Sequence, residues 1–201
     1  MRKILVATTN PGKLSEISAL LDLDIDWLSL TDFPNINEVK ENGRTFAENA
    51  RKKAVGYAEQ TGLWTIADDS GLVVDALGGQ PGVTSARFSG KKDKDRTLLD
   101  HKNMQKVLRL LEGVPKEKRT ARFVCCLCLA SPEKILIETE GKLEGFIAEK
   151  EIGENGFGYD PIFFVPQLGK TVAQLSREGK NAISHRGNAI RKLKPLLEQL
   201  L

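Results

Sequence analysis

Apolar and polar positions along the first half of this chain predict strands and helices in turn. Short apolar runs bounded by polar residues at 3–9 and 64–67 predict strands, and residues 27–30 predict another. Between these runs, apolar residues recur at helical spacing after Pro11 and after Phe46. Strands that alternate with helices are typical of an α/β protein.

Two helix starts are marked by their capping residues. Asn10 followed by Pro11 combines a preferred N-cap residue with proline at the first helical position. Thr45 and Glu48 have the spacing of a capping box, and the apolar face that follows predicts a helix to about Thr61.

The spacing of the apolar residues changes in the second half of the chain. A helix is predicted over 96–111, with Leu98 among its inward residues, and strand-like runs follow at 123–129, 135–139 and 143–148. Residues 162–165 predict a further strand. An amphipathic pattern over 190–200 predicts a terminal helix. The pattern predicts a mixed, strongly twisted sheet, and 201 residues suit one large domain or two small lobes around a cleft.

Composition and charge narrow the class of protein. The formal net charge of +3 comes from nearly balanced acids and bases, which argues against a dedicated nucleic-acid-binding protein. No stretch resembles a secretory signal or a membrane span. Cys125, Cys126 and Cys128 crowd into one apolar segment with no zinc spacing, so we expect reduced core residues and a cytoplasmic protein.

The segment Ile66-Ala-Asp-Asp-Ser-Gly-Leu72 joins an apolar run to two carboxylates, a hydroxyl and a glycine. We expect Asp68 and Asp69 near the end of a strand, where α/β proteins place their sites. A simple turn is the alternative, because Asp, Ser and Gly favour turns. Successive side chains of a strand point to opposite faces, so the two aspartates should have different roles. Alternation alone does not tell which of the two faces a cleft.

Polar side chains near two helix starts form further candidates. Thr8, Asn10 and Lys13 surround a predicted helix N-terminus, which is suited to an anion, although a plain N-cap with a surface lysine explains the same residues. Glu41 precedes the next helix, and Lys53 lies further along it. Each of these two, taken alone, is typical of a solvated surface charge.

Two later segments complete the candidates. In residues 156–161, Gly-Phe-Gly-Tyr-Asp-Pro, the glycines place Phe157 on a loop where it can stack on a nucleobase, or where it can plug the core instead. In residues 180–186, Lys180, His185 and Arg186 gather hydrogen-bond donors around Ser184, which is also a plausible helix N-cap.

The ordered motifs of the chain resemble those of the inosine triphosphatase, or Ham1-like, family of purine nucleoside triphosphate pyrophosphatases. The motifs are T-x-N-x-x-K at 8–13, E-x-G-x-T-F-x-E-N-A at 41–50, A-D-D-S-G-L at 67–72, P-G-x-x-S-A-R-F at 81–88, F-G-Y-D-P at 157–161 and K-N-x-x-S-H-R at 180–186. Gln174 is one departure, at a position where the family usually has Glu. The resemblance covers nearly the whole chain.

The resemblance implies hydrolysis of ITP, dITP and XTP to the monophosphate and pyrophosphate with Mg²⁺, by a homodimer. It implies one ITPase-like domain over residues 1–201, whose long central sheet separates two lobes with the site between them. Glu41 and Asp69 would hold Mg²⁺, and Asp69 is also the implied proton acceptor. The residues implied to bind the nucleotide are Thr8, Thr9, Asn10, Pro11, Gly12, Lys13, Lys53, Ser70, Phe157, Gly158, Tyr159, Asp160, Lys180, His185 and Arg186. The role of Asp68 stays open.

The implied chemistry agrees with the residue types. Mg²⁺ prefers one or two carboxylates, completed by phosphate oxygens and water. A carboxylate beside Mg²⁺ should have a low pKa, so a metal-binding and water-orienting role suits Asp69 better than that of a strong base. We also expect His185 and Arg186 to donate to the 6-oxygen of the purine, whereas the residues do not indicate how guanine is excluded.

Three other functions compete. A Maf-like nucleotide pyrophosphatase cleaves the same bond, but the S-H-R and F-G-Y-D-P motifs favour the Ham1-like family. A nucleotide sensor without turnover would not need Glu41, Asp69 and Lys13 together. A nucleic-acid-binding module fits the modest net charge poorly.

Overall fold

The computed structural model describes residues 2–90 and 95–201. Its centre is an open, twisted sheet of seven strands in the order β2-β1-β3-β4-β5-β6-β7. The strands are β1 (Arg2–Val6), β2 (Ile25–Ser29), β3 (Trp64–Val74), β4 (Thr120–Ala130), β5 (Ile135–Ile147), β6 (Phe163–Val165) and β7 (Lys170–Thr171). β1 pairs in parallel with β2 and β3, whereas β6 pairs antiparallel with β5 and β7. The predicted mixed α/β sheet is confirmed.

Five α-helices accompany the sheet in the described part of the chain. They are α1 (Pro11–Leu21), α2 (Phe46–Thr61), α3 (Arg96–Leu110), α4 (Arg177–Ile183) and α5 (His185–Glu198). None of the described helices is long and apolar enough to cross a membrane.

The local capping signals predicted two helix starts correctly. The Asn10 side chain accepts a hydrogen bond from the Gly12 N–H at 2.8 Å, and α1 begins at Pro11. Thr45 Oγ1 accepts from the Glu48 N–H at 3.1 Å at the start of α2. The Glu48 carboxylate accepts in turn from the N–H of Arg44, one residue before the cap. These signals involve neighbours in sequence and so do not depend on the rest of the fold.

The expectation that Asp68 and Asp69 lie near a strand end is wrong. β3 runs without a break through Asp68, Asp69, Ser70 and Gly71 to Val74. The strand lies inside the sheet between β1 and β4, and pairing there overrides the turn preference of these residues. A Cβ on Gly71 would lie 2.3 Å from Ser85 Oγ, so glycine allows the segment 82–87 to approach the strand closely.

Other differences between the predicted and the observed elements lie in the second half of the chain. The runs at 135–139 and 143–148 belong to the single strand β5, and α5 begins at His185 rather than near residue 190. Ser184 therefore lies directly before α5, at the end of the unpredicted helix α4. Leu98 was expected to point inward but is 43% exposed, because the buried side of α3 carries Asp100 and other residues further along the helix. The three cysteines are buried in β4 and form no disulfide with one another, as expected.

The chain divides into two compact units. The first unit contains the described residues up to Asp69, together with Cys125–Gly141 and His185–Leu201. Its core packs β-strand and helix side chains such as Ile4, Ile66 and Ile190.

The second unit contains the described residues of Ser70–Val124 and Lys142–Ser184. Its core includes Leu72, Val107 and Ile162. Phe123 and Phe163 belong to the same core, with ring centroids 4.4 Å apart. Each unit thus has an apolar core of its own.

Candidate active site

The first unit contains a group of six charged side chains around the middle of β3, called the charged cluster below. Its members are Lys13, Glu41, Lys53, Asp68, Asp69 and Arg186. Asp68 is the centre of it: the side chain is 4% exposed, and both of its carboxylate oxygens accept from Lys13 Nζ at 3.0 Å. Arg186 Nη2 lies 3.5 Å from the same carboxylate. Lys53 Nζ donates to the backbone carbonyl of Asp68.

The charge of Asp68 is held by its neighbours. Burial alone would raise the pKa of this carboxyl, but the positive charges of Lys13, Arg186 and Lys53 outweigh burial and hold the pKa far below its usual range. Asp68 is therefore a permanent anion whose contacts come from α1, α2 and α5. Its position suits it to orient the neighbouring lysine and arginine side chains rather than to exchange protons.

Asp69 points to the opposite face of β3, as strand alternation predicts. Its Oδ2 accepts from Asn49 Nδ2 at 2.9 Å, and Asn49 is buried on α2. Asn49 Oδ1 accepts from the Gly43 N–H at 2.7 Å, in the segment that follows Glu41. One buried amide thus connects Asp69 to the loop that carries Glu41.

Glu41 and Asp69 form the part of the charged cluster best suited to a divalent cation. Burial raises the pKa of Asp69, and the nearby negative charges of Glu41 and Asp68 raise it further, while Asn49 and Lys53 act in the opposite direction. Lys53 Nζ also lies 3.0 Å from Glu41 Oε2. Crowded carboxylates of this kind are relieved by a bound cation.

No group of three or more His, Cys, Asp or Glu side chains suited to a metal occurs among residues 2–90 and 95–201. A site with two carboxylates does not need such a group, because substrate phosphates and water supply the other ligands of Mg²⁺. Glu41 and Asp69 therefore fit Mg²⁺ bound together with a phosphorylated substrate better than a metal bound by protein alone.

The N-terminus of α1 brings the residues at 8–13 to the charged cluster through Lys13. Thr8 is buried and its Oγ1 accepts from the Asn10 N–H at 3.0 Å. Thr9, Pro11 and Gly12 are exposed beside it. The positive end of the α1 dipole and the Lys13 ammonium together favour phosphate oxygens at this place, while the N–H groups of Asn10 and Gly12 already donate within the segment.

Arg186 joins the charged cluster at the start of α5. Its side chain is 8% exposed, and Nη1 donates to Glu16 on α1 at 3.0 Å. The two acids Glu16 and Asp68 therefore hold this guanidinium from two sides. His185, expected beside Arg186 in a base pocket, lies at the first position of α5.

The second unit contains residues 157–160, called the aromatic loop below. Phe157 is 63% exposed, so it is not a core plug, and Lys180 Nζ lies 4.1 Å from its ring centroid. The buried Asp160 carboxylate accepts from the Phe157 N–H at 2.9 Å and also from Lys180 Nζ. Gly156, at φ +80°, leaves room for that carboxylate, since a Cβ there would lie 2.1 Å from Asp160 Oδ2.

Ser85 connects two motifs of the second unit. Its Oγ accepts from the Leu72 N–H at 2.9 Å, two residues after Ser70 in β3. Its carbonyl accepts from the Tyr159 hydroxyl at 2.8 Å. Burial beside Asp100 raises the pKa of Tyr159, which keeps the hydroxyl a donor. The P-G-x-x-S-A-R-F motif thus supports both β3 and the aromatic loop.

Sequence reasoning named the members of the charged cluster but missed four residues that hold them or the aromatic loop. Asn49 and Ser85 lie inside recognised motifs, so their motif positions were a usable signal. Glu16 and Asp100 lie on helices outside every motif, and only the tertiary contacts reveal them. The structure places Lys180 and residues 157–160 in the second unit, and His185 and Arg186 in the first.

The comparisons with known proteins agree with the motifs. The chain is 51% identical over 196 residues to a dITP/XTP pyrophosphatase of Bacillus cereus, covering 96% of this chain and 93% of that protein. It is 52% identical over 195 residues to a dITP/XTP pyrophosphatase of Geobacter sulfurreducens, covering 96% of each.

Solved structures give the same result. A HAM1 protein from Coxiella burnetii aligns with a TM-score of 0.91 at 42% identity, over 99% of this chain and 100% of that one. The Ham1 protein of Staphylococcus aureus aligns with a TM-score of 0.90 at 40% identity, over 100% of both chains. The sequence model of the Ham1 family matches residues 4–196, and the chain therefore belongs to the Ham1 family.

Proposed function

We propose that this protein hydrolyses inosine and xanthosine triphosphates, including dITP, to the nucleoside monophosphate and pyrophosphate. One observation carries the proposal: the charged cluster combines two carboxylates, Glu41 and Asp69, with two lysines, Lys13 and Lys53. The curated relatives named dITP/XTP pyrophosphatase support the choice of substrate. Removal of non-standard purine nucleotides from the nucleotide pool follows from this reaction.

The triphosphate is assigned to the start of α1 and to the two lysines. Lys13 has three N–H donors, and Asp68 takes up two of them among the described residues, so one is left for a phosphate oxygen. The residues assigned to this part are Thr8, Thr9, Asn10, Pro11, Gly12, Lys13 and Lys53. The positive charges of Lys13 and Lys53 stabilise the pyrophosphate that leaves when water attacks the α-phosphorus.

Glu41 and Asp69 are assigned as the residues that hold Mg²⁺. When bound, the ion supplies charge neutralisation to the phosphate oxygens. Asp69 is held by Asn49 on one oxygen. We propose that Asp69 orients the attacking water and accepts its proton, with orientation as the larger contribution.

We assign the purine base to the aromatic loop and to further residues named by the family motifs. Phe157 offers an exposed ring for stacking, and Ser70, Gly158, Tyr159, Asp160 and Lys180 complete this set. We keep His185 and Arg186 as donors to the 6-oxygen, and Arg186 also braces Asp68. The 6-amino group of adenine leaves such donors without an acceptor, at a cost of about 1–3 kcal/mol.

We further propose that residues 1–201 form one ITPase-like domain and that the protein acts as a cytoplasmic homodimer without nucleic-acid or membrane partners. The family resemblance supports the domain and the dimer, and the three buried thiols support a reducing compartment. Light scattering at two protein concentrations tests the dimer.

A panel of nucleoside triphosphates with Mg²⁺ tests the function, with release of pyrophosphate and of phosphate measured separately. We expect pyrophosphate from ITP, dITP and XTP, and kcat/KM for ATP lower by about tenfold or more. Similar kcat/KM values for ITP and ATP would contradict the base assignment. Binding of ITP without turnover would instead identify a nucleotide sensor.

A further inference from the structure

We propose that Asp100, on α3, is a positioning residue that holds the aromatic loop in the conformation required for purine selection. The inference rests on the proposed base-binding role of Phe157. Asp100 lies outside every family motif of the sequence. Its side chain is nevertheless only 9% exposed, which is rare for an acid without a specific partner.

Each oxygen of Asp100 has its own partner. Oδ2 accepts from the Gly158 backbone N–H at 3.1 Å, and Oδ1 lies 3.0 Å from Arg96 Nε, one turn earlier on α3. Arg96 is 61% exposed at its side chain. Arg96 balances the charge of the acid at Oδ1, and Oδ2 holds the loop.

The contact with Gly158 completes the support of the aromatic loop. Asp160 holds the Phe157 N–H, Ser85 holds the Tyr159 hydroxyl, and Lys180 holds Asp160. Gly158 has a φ of +64°, and Asp100 fixes the direction of its N–H. The loop backbone is thus held at consecutive residues while the Phe157 ring stays exposed.

A loop held in this way can discriminate between bases. Selection through the 6-oxygen needs the purine at a defined height and angle, and the ring of Phe157 sets both when the base stacks on it. Loss of the Asp100 carboxylate leaves the Gly158 N–H without its acceptor and frees the ring to shift. The reacting phosphorus is bound elsewhere, so binding and selectivity should change more than the rate of the chemical step.

Asp100→Ala, Asp100→Asn and Arg96→Gln, with Phe157→Ala for comparison, test the inference by steady-state kinetics on ITP and ATP. Asp100→Ala should raise KM for ITP by about five- to tenfold and narrow the preference for ITP over ATP, with kcat within about twofold. Asp100→Asn keeps an acceptor oxygen for Gly158 and should restore KM to within about threefold of the wild type. Arg96→Gln keeps a hydrogen-bond donor at this position and leaves the Oδ2 contact with Gly158 in place, so it should change KM less than Asp100→Ala does.

A purely structural role predicts a different pattern. It would lower the melting temperature and the amount of active enzyme, and so reduce kcat without changing KM or base preference. That result, or a wild-type KM in Asp100→Ala, overturns the inference. If Asp100→Ala does not fold, Asp100→Glu takes its place: it keeps the charge but displaces the oxygen, so it should raise KM, and a wild-type KM overturns the inference.

The comparison with Phe157→Ala separates the inference from the proposed function. A raised KM in Phe157→Ala with no change in Asp100→Ala rejects the inference alone. An unchanged KM in both variants rejects the base pocket and the inference with it. A wild-type protein that releases no pyrophosphate from ITP rejects the proposed function.

Discussion

The proposed function assigns phosphate binding to the charged cluster and purine binding to the aromatic loop, and the side chains of these two regions are held in different ways. In the charged cluster, the buried Asp68 on β3 forms ion pairs with Lys13 and Arg186, which lie on helices. In the aromatic loop, mostly backbone groups are held by hydrogen bonds, and the Phe157 ring stays exposed. Phosphates require fixed charge, whereas a purine requires a flat surface at a fixed height. Substitutions in the two regions should therefore fail in different ways.

The largest expected effect is on turnover, in Asp69→Asn. Asparagine keeps the shape of the side chain, so the fold should survive, but it is a poor metal ligand and accepts no proton. We expect kcat to fall by about 10²- to 10⁴-fold and the response to Mg²⁺ to weaken. Stopped-flow assays at several Mg²⁺ concentrations measure both, with circular dichroism as the check on folding. A variant with near-normal rates would show that the active site lies elsewhere.

Asp68→Asn should mainly affect stability. It removes the anion that Lys13 and Arg186 share, and breaking a buried ion pair from one side costs about 3–5 kcal/mol. Asp26→Asn is the matched control, because its ion pair with Lys3 is exposed and worth about 0–1 kcal/mol. Urea unfolding measures the difference in the free energy of unfolding. Equal losses in the two variants would contradict the central role of Asp68.

Asn49→Ala tests how Glu41 and Asp69 are held. The substitution removes the amide that joins Asp69 to the Gly43 segment. We expect an affinity for Mn²⁺, used as a probe for Mg²⁺, that is lower by about 10- to 100-fold. Electron paramagnetic resonance on the protein with a nonhydrolysable ITP analogue gives this affinity without turnover. An unchanged affinity would mean that Glu41 and Asp69 do not depend on Asn49.

Tyr159→Phe tests how much the aromatic loop contributes to the free energy of unfolding, as Asp68→Asn does for the charged cluster. It removes one neutral hydrogen bond, from the Tyr159 hydroxyl to the Ser85 carbonyl. The expected loss in the free energy of unfolding is about 1–2 kcal/mol, well below that of Asp68→Asn. The same urea titration provides the comparison, and a larger loss in Tyr159→Phe would reverse the proposed difference between the two regions.

Features set by neighbouring residues were predictable from the sequence. The N-caps at Asn10 and Thr45, and the alternation that separates Asp68 from Asp69, all depend on local geometry. The continuity of β3 was not predictable, because Asp, Ser and Gly together favour turns. Membership of the sheet and the close approach of Ser85 to Gly71 accompany the extended conformation of that segment, and both depend on residues distant in sequence.

The same distinction between local and long-range contacts applies to the candidate site. Motifs identified Lys13, Glu41 and Asp69, because the resemblance assigns residue types at fixed spacings. They left Asp68 without a role, since its partners Lys13 and Arg186 are distant in sequence. Contacts over such distances depend on packing, which the pattern of a single sequence does not contain.

Hydrolysis of ITP in H₂¹⁸O under single-turnover conditions with Mg²⁺ tests most directly whether the protein directs water to the α-phosphorus. Mass spectrometry of the products locates the new oxygen. We predict one ¹⁸O atom in inosine monophosphate and none in pyrophosphate, with the signal lost in Asp69→Asn. Label in pyrophosphate, or labelled phosphate released beside inosine diphosphate, would contradict attack at the α-phosphorus.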